Sequence, residues 1–496
     1  MKNIFLFVVV LFVALSSCKK FSDLEKDPNR PGNVPPSLVF TSVLYSTYYA
    51  PWSDVQRWNQ FYCSNYAYYA EQKYDWTTTN FDYSQLKNVI QMISEAKRIG
   101  LAEVNPYSAI GKFYKAYFFV DMSMRLGDVP LTEALKSLDN TIPKYDTQKA
   151  VFQQVLTWLE ESNADLQTLI NIGDQTLTGD FMLNNDLKKW QKVVNSYKLR
   201  VLIALSKKES DTDLNIKVLF SNVLNNPAKY PVMTSLDDNL KFTYNNSTDK
   251  YPLNQDNYGQ TATRNNMSAT YLNTLVALKD PRTFIVADPA PVKIKGGLTA
   301  TDYNAYVGAS SGESLDDMST KMLNGEYSSI SKSKYYSSYV GEPCIQIGYS
   351  EMCFNIAEAV TRGWASGNAE DYYIKGIKAS WTFHGVASVD SKWDAYYSQT
   401  TVKLNSTASE ALKQILSQKY LAFFQNSGWE AYNNFRRTGV PTFLTGTGTA
   451  NSGRIAKRWQ YPSSERTTNA GNYKAALISQ FGAETDDINA DIWILK

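Results

Sequence analysis

"YSAIGKFYKAYFFVDMSMRLGDVPL", residues 107–131, decides the fold class. Its side chains Ile110, Phe113, Tyr114, Tyr117, Val120 and Met124 recur at steps of three and four, the period of a helix and not of a strand. Gly127 and Pro130 supply the stop. One amphipathic helix is expected here, and the pattern returns along the chain. A second helix is expected after Asp146 as N-cap, with Phe152, Val155, Leu156, Leu159, Leu166 and Leu169 on its apolar stripe. A third is "KKWQKVVNSYKLRVLIALSKK" (188–208), lined by Trp190, Val193, Val194, Tyr197, Val201 and Leu205. Two more come late, "YSEMCFNIAEAVTRGW" (349–364) and "TASEALKQILSQKYLAFFQ" (407–425), the latter opened by a capping box of Thr407 and Glu410.

Such a succession predicts an all-α body of helical hairpins. No clean 34-residue repeat appears, although the helices are compatible with degenerate tetratricopeptide-like pairs. Residues 228–343 are different, rich in Asn, Thr, Ser, Gly and Tyr with little periodicity, and are expected to form a loop-rich subdomain or a binding face.

At the N-terminus, "IFLFVVVLFVAL" (4–15) is twelve apolar residues behind Lys2, whereas a spanning helix needs roughly 20. A positive start, a short apolar middle and small residues at the end make a signal peptide, residues 1–17. Leu15-Ser16-Ser17-Cys18 resembles the bacterial lipobox, in which the cysteine becomes the lipidated N-terminus, acylated with chains such as palmitate. Residues 18–36, with four prolines, a glycine and no apolar period, read as a tether, and 37–496 as one body. Lipidation uses Cys18 and leaves Cys63, Cys344 and Cys353, an odd number without CxxC spacing, expected as core thiols.

The 50 basic and 48 acidic residues give a net charge of +2, no field to attract nucleic acid. Mean hydropathy is -0.36, that of a water-soluble body. Aromatic content is the unusual feature, with 34 Tyr, 22 Phe and 11 Trp. Such side chains serve both cores and ligand platforms.

Catalytic readings are weak. The one histidine, His384 in "SWTFHGVAS", has no GxSxG elbow to serve and is expected to be structural. Glu351 and Glu358 lie seven apart on one helix face, side by side and not across a gap as glycoside hydrolysis needs, and Glu358 with Arg362 makes an i,i+4 ion pair. No catalytic residue, resident metal or cofactor is expected. "DTDLNI" begins as a calcium loop with Asp211, Asp213 and Asn215, but Ile216 replaces the turn glycine and Asn222 the bidentate glutamate. That excludes an EF-hand and leaves an irregular calcium site open.

The best binding stretch is "WSDVQRWNQFYCSNYAYYAEQKYDWTTTNFDY" (52–83), which mixes aromatic planes with amides and carboxylates, as sugar pockets do. A helical face accounts for Trp58, Tyr62 and Tyr69 as core. Tyr74 and Trp76, with Asn80 at the end of "TTTN", fall outside that period and are expected to be exposed ligand contacts.

Seven blocks in collinear order resemble the SusD/RagB family of outer-membrane nutrient-binding lipoproteins, in its RRTGxP branch: the lipobox with "DPNRP" and "VPPSLVF"; "AIGKFYKAYFFVDMSMRLGDVPLTEAL"; "WQKVVNSYKLRVLIAL"; "LKDPRTF"; "GYSEMCFNIAEAVTRGW"; "ILSQKYLAFFQNSGWEAYNNFRRTGVP"; and "GRIAKRWQYPSSERTTNAGN". The resemblance implies a tetratricopeptide-like scaffold with an irregular second half packed on it. It also implies a lid-like partner of a SusC-like TonB-dependent transporter, binding an oligosaccharide or peptide outside the cell and held to the outer membrane by its lipid. By the same resemblance Tyr258, Arg264 and Asn265 in "YPLNQDNYGQTATRNN" become ligand-binding candidates, Tyr306 in "YVGASSG" a weaker one, and Arg436 and Arg437 buried partners of carboxylates. A secreted glycan hydrolase and a tetratricopeptide-like assembly scaffold are the rival readings. Acidic groups at only Asp23 and Glu25 behind the lipobox leave outward display resting on the family.

Overall fold

Asn105 opens the central helix with a reciprocal cap: its side chain accepts the Ser108 amide while the Ser108 hydroxyl accepts the Asn105 amide, and Pro106 takes the first helical position. This computed structural model describes residues 33–68 and 70–496, so the signal peptide, Cys18, most of the tether and Tyr69 lie outside the described residues. The helix, Pro106–Leu126, is not amphipathic: only Lys112, Lys115 and Asp121 escape full burial. A helix covered on nearly every face belongs in the middle of a bundle. Gly127 ends it at φ 92°, where a Cβ would stand 2.1 Å from Gln480 Oε1, so no larger residue fits.

Around it run the helices α1 (Pro36–Ser46), α2 (Tyr83–Arg98), α3 (Pro106–Leu126, the central one), α4 (Gln148–Asn171), α5 (Leu187–Ala204) and α6 (Ile216–Asn225). Each packs on the next, as helix pairs in a tetratricopeptide-like array do. The chain is already helical at Pro36, and Val34 packs against the core, so the body takes up the last residues of the tether. After the irregular middle, with α7 (Ala269–Ala277) and α8 (Leu315–Leu323), come α9 (Tyr349–Thr361), α10 (Ala369–Phe383), α11 (Val389–Tyr397), α12 (Ala408–Ala422), α13 (Glu430–Thr438) and α14 (Ala470–Phe481).

Two expected caps differ. Thr147, not Asp146, caps α4, through its hydroxyl and the Ala150 amide. The Asp146 carboxylate is spent on the Leu131 and Thr132 amides at 2.7 and 2.9 Å, holding the chain that leaves α3. Thr407 precedes α12 without a side-chain cap bond, and Glu410 pairs instead with Lys413 at 2.8 Å.

The two helical blocks meet where α5 crosses α9. Arg200 of α5 reaches Glu351 with Nε at 2.6 Å and a second nitrogen on the other carboxylate oxygen. Glu358, two turns on, takes Arg362 at 2.9 Å and both terminal nitrogens of Arg437. Burial pushes the Glu358 carboxyl up, but Arg437, with Lys419 and Arg362 beside it, outweighs burial and holds it at about 2. Arg437 is thus the buried carboxylate partner expected. Arg436 is not: it donates to the carbonyls of Met124 and Lys457 at 2.8 and 2.7 Å and to the Asn433 side chain, tying α13 to the C-terminal segment.

Two short antiparallel ladders fix the middle region. β2 (Leu240–Phe242) pairs with β4 (Cys344–Ile347), drawing its two ends together. β1 (Tyr62–Ser64) pairs with β3 (Asn265–Met267), laying the middle region against the N-terminal loop. The three described cysteines are buried free thiols, and burial pushes Cys63 up to about 11 and Cys344 and Cys353 up to about 12. Among the described residues no helix is long and apolar enough to cross a membrane.

Candidate functional site

The segment after β1 holds the first candidates, and it corrects two of them. Residues 73–77 run alternately exposed and buried: Lys73, Asp75 and Thr77 face water while Tyr74 and Trp76 are only 1% and 6% exposed. The segment lies beside residues 459–461, with the Thr79 amide on the Gln460 carbonyl, the Gln460 amide on the Thr77 carbonyl, and the Thr78 hydroxyl on the Tyr461 carbonyl at 2.6 Å. Trp76 stacks on Trp459 at 3.8 Å and 11°, with Trp58, Trp429 and Tyr432 around it. The Tyr74 hydroxyl donates to the Trp58 carbonyl at 2.6 Å. Both are core residues, not ligand contacts. The period-two alternation of "KYDWT" was the signal, and it outranks the broken helical period. Asn80 is exposed, on the same strip beside Thr79, to which Arg125 donates at 3.2 Å.

Ahead of that strip, the chain at Gln72 returns to Ser64. Gln72, fully buried, accepts the Ser64 amide at 2.8 Å and donates to the Ser64 carbonyl at 2.9 Å, clasping the two ends together. Asn65 carries the loop onto the middle region: its amide donates to the Arg264 carbonyl at 2.9 Å, its side chain to the Thr263 carbonyl at 3.1 Å, and its own carbonyl accepts the Ser319 hydroxyl from α8. At the tip Tyr66 and Tyr68 are 44% and 85% exposed, their rings 6.5 Å apart. The Arg264 guanidinium sits over the Tyr66 ring at 4.1 Å.

The candidates from the middle region are brought to this loop. Asn265 is half-buried and pairs with Ser64 through the β1–β3 ladder. Tyr258 starts the single turn of helix that leads to Arg264; it stands edge-on to Tyr336 at 5.0 Å, with Lys332 Nζ 4.2 Å from its ring. The Thr261 hydroxyl donates to Tyr336 at 3.1 Å, and nearby Lys250 lies 4.0 Å from the Tyr339 ring. Tyr306, the weaker candidate, is buried with its hydroxyl on the Ala300 carbonyl. Tyr66, Tyr68, Lys332 and Tyr339 were missed, although "SKSKYYSSYV" (331–340) announces aromatic rings among small polar residues and lysines; Tyr336 of that run is a buried ring beneath Tyr258. The surface is therefore a set of tyrosine rings, three of them (Tyr66, Tyr258 and Tyr339) with a cation beside them, among amides and hydroxyls. Such groups can take an apolar ring face and hydrogen-bond the hydroxyls at its edge.

Other chemistry finds little footing. Glu351 and Glu358 are consumed by arginines, as above. His384 is completely buried, Nδ1 3.7 Å from Glu342, whose other oxygen takes Lys334 at 2.7 Å, and neither ring nitrogen makes a hydrogen bond among the described residues. Burial raises the Glu342 carboxyl, but His384 and Lys334 draw it below its ordinary value. Between Asp211 and Asp213 stands the Lys149 ammonium, at 2.8 and 2.7 Å, where a calcium ion would have to lie. Among the described residues no group of three or more His, Cys, Asp or Glu is placed to hold a metal ion.

Comparison with known proteins identifies the family and the fold. The SusD-like family model described as "Starch-binding associating with outer membrane" matches residues 28–462. A SusD homologue from Bacteroides fragilis is 30% identical, with a TM-score of 0.84 over 93% of this chain and 100% of its own. An outer-membrane protein from Bacteroides vulgatus, to which a nutrient-binding role is ascribed, is 32% identical with a TM-score of 0.82 over 93% and 100%. A chitin-binding SusD homologue from Flavobacterium johnsoniae shares the fold at 18% identity, with a TM-score of 0.73 over 93% and 98%. No curated protein matches the chain.

Proposed function

The chain belongs to the SusD-like family of outer-membrane nutrient-binding proteins, and from that premise we propose that it captures an oligosaccharide on the Tyr66, Tyr68 and Arg264 surface and passes it to a SusC-like TonB-dependent transporter. The observation that carries the reading is the clasped loop: two exposed tyrosine rings on a tip whose base is held by buried hydrogen bonds, with Arg264 over one ring. Pre-ordering the loop lowers the entropy cost of binding, so exposed rings there act as a platform and not as a floppy tip. Tyr258 with Lys332, and Asn265 paired with Ser64 through the β1–β3 ladder, extend the platform. Capture here is binding without bond cleavage.

Lipid at Cys18, the first residue of the 18–36 tether, would hold the body at the outer membrane, facing outward; each buried CH₂ of the acyl chains contributes about 0.8 kcal/mol. The test is a binding screen of the purified protein against malto-oligosaccharides, chito-oligosaccharides and short peptides, with product analysis alongside. Saturable binding of an oligosaccharide that is recovered intact, and loses affinity on Arg264→Ala, supports the reading. Binding of peptides alone would change the ligand class, and released smaller sugars would overturn the non-catalytic role.

A further inference from the structure

A cleft of about 750 Å³ opens between the turn after α7 and the face of α11, and shares no residue with the loop surface. Its floor is made by Trp381 and Tyr396, rings 4.7 Å apart. Both donate to the buried Asp280, Trp381 from its indole nitrogen at 3.3 Å and Tyr396 from its hydroxyl at 3.0 Å. Asp280 is matched by the equally buried Arg282 at 2.8 Å, so the floor is braced and sends no net charge into the cleft. One wall is aromatic. Phe284 lies 4.4 Å from Tyr303, and the Tyr303 hydroxyl donates to the Lys279 carbonyl at 2.7 Å, which fixes the ring. Gln399 adds an amide whose nitrogen is held by the carbonyls of Leu278 and Tyr396, leaving its oxygen as acceptor.

The charge is one-sided. Lys279 and Lys392 line the cleft from opposite sides and no carboxylate lines it. Asp390 and Asp394 of α11 fall on the other face of that helix, and Asp390 is taken by Lys378 at 2.8 Å. A concavity of this size with braced aromatic walls, an amide and two ammonium groups fits a ring that has an apolar face and an acid group at its edge. Neutral rings would leave both lysines unused.

We propose that this cleft is a second saccharide site, selective for an acidic sugar: the apolar face of the ring lies against Tyr303 and Phe284, and its carboxylate or sulfate sits between Lys279 and Lys392. The choice of a sugar rests on the proposed saccharide-binding function; the preference for an anion rests on the cleft alone.

The experiment is calorimetric titration of the detergent-solubilised full-length protein with a galacturonic acid trisaccharide, its methyl ester and a sulfated disaccharide. The acidic trisaccharide should bind, the ester at least tenfold more weakly, and the paired variant Lys279→Gln with Lys392→Gln should lose roughly tenfold in affinity for the acid. Binding by the sulfated sugar as well would mean that any acid group serves; its failure beside binding of the uronate would restrict the site to carboxylates. Arg264→Ala should leave the acidic ligand within about twofold, because it acts at the other surface. Loss on Arg264→Ala without loss on the lysine variant would overturn the second site while leaving the loop platform standing. Acidic binding that depends on the lysines, with no saccharide affected by Arg264→Ala, would uphold the cleft and overturn the platform. Equal affinity for acid and ester, or no binding of any acidic sugar at millimolar concentration, overturns the inference.

Discussion

Replacing Trp76 with alanine should unfold the protein more readily and leave binding by the folded molecules intact. The indole is 6% exposed, stacked on Trp459 and edged by Trp58, Trp429 and Tyr432. Truncating a buried Trp costs about 3–5 kcal/mol, and these neighbours, with Tyr74 as a fifth ring at 5.5 Å, place this one at about 4 kcal/mol. With a melting entropy of about 2.1 cal/mol/K per residue, a chain of 496 residues loses roughly 1 kcal/mol per degree, so the transition should fall by about 4 °C. Differential scanning calorimetry reads that shift, and titration well below the transition reads affinity. Trp76→Phe is the companion variant. It keeps a ring in the cage and removes an indole N–H that has no hydrogen-bond partner among the described residues, so it should cost less than half as much. An unmoved transition with lost binding would place Trp76 in the ligand surface and refute the reasoning.

Other perturbations follow from named contacts. Gln72→Ala opens the clasp at Ser64 and strands a buried amide and carbonyl; it should cost about 1–3 kcal/mol and speed hydrogen exchange of residues 64–72, and unchanged exchange would mean the loop holds itself. Arg437→Ala leaves Glu358 buried without its main partner and should cost about 3–5 kcal/mol by urea unfolding at pH 7, a cost that vanishes if Arg362 suffices. Glu358, near 4.5 unfolded and about 2 folded, contributes stability that is complete above pH 4.5 and lost as pH falls through 2, roughly 3 kcal/mol; Glu358→Gln should flatten that acid limb, and an unaltered limb would assign it to other carboxylates. Cys18→Ser should move the protein from the membrane fraction to the soluble one, and retention would contradict the lipid anchor unless a barrel partner holds the body by itself.

The long helices were legible because a 3.6-residue period over many turns has no competing explanation, and the Glu358–Arg362 ion pair followed from spacing, while the scaffold role of its helix came from the family resemblance. Less local facts were not. Whether the central helix shows one apolar face or is buried all round depends on what packs behind Lys112, Lys115 and Asp121, and that is set by other helices. Asp146 looked like a cap because caps are read one residue at a time, yet a carboxylate there is equally suited to bind the amides of the chain folding back toward it. Tyr74 and Trp76 were misplaced because the partner strip at 459–461 lies nearly 400 residues away in the chain. Arg264 was found by family resemblance, but its meeting with Tyr66 follows from the β1–β3 ladder, which no local pattern encodes. The burial of one aromatic set and the exposure of the other are properties of pairing, not of composition.

The most direct measurement is the affinity of the Tyr66→Ala, Tyr68→Ala double variant for the oligosaccharide that the wild-type protein binds in the screen, by isothermal titration. Stacking contacts are worth roughly 0.5–1.5 kcal/mol each, so two exposed rings removed together should weaken binding by about tenfold or more, with the melting transition moved by less than a degree or two. Unchanged affinity in the folded double variant would contradict the account, because the clasped loop would then present its tyrosines to something other than the nutrient.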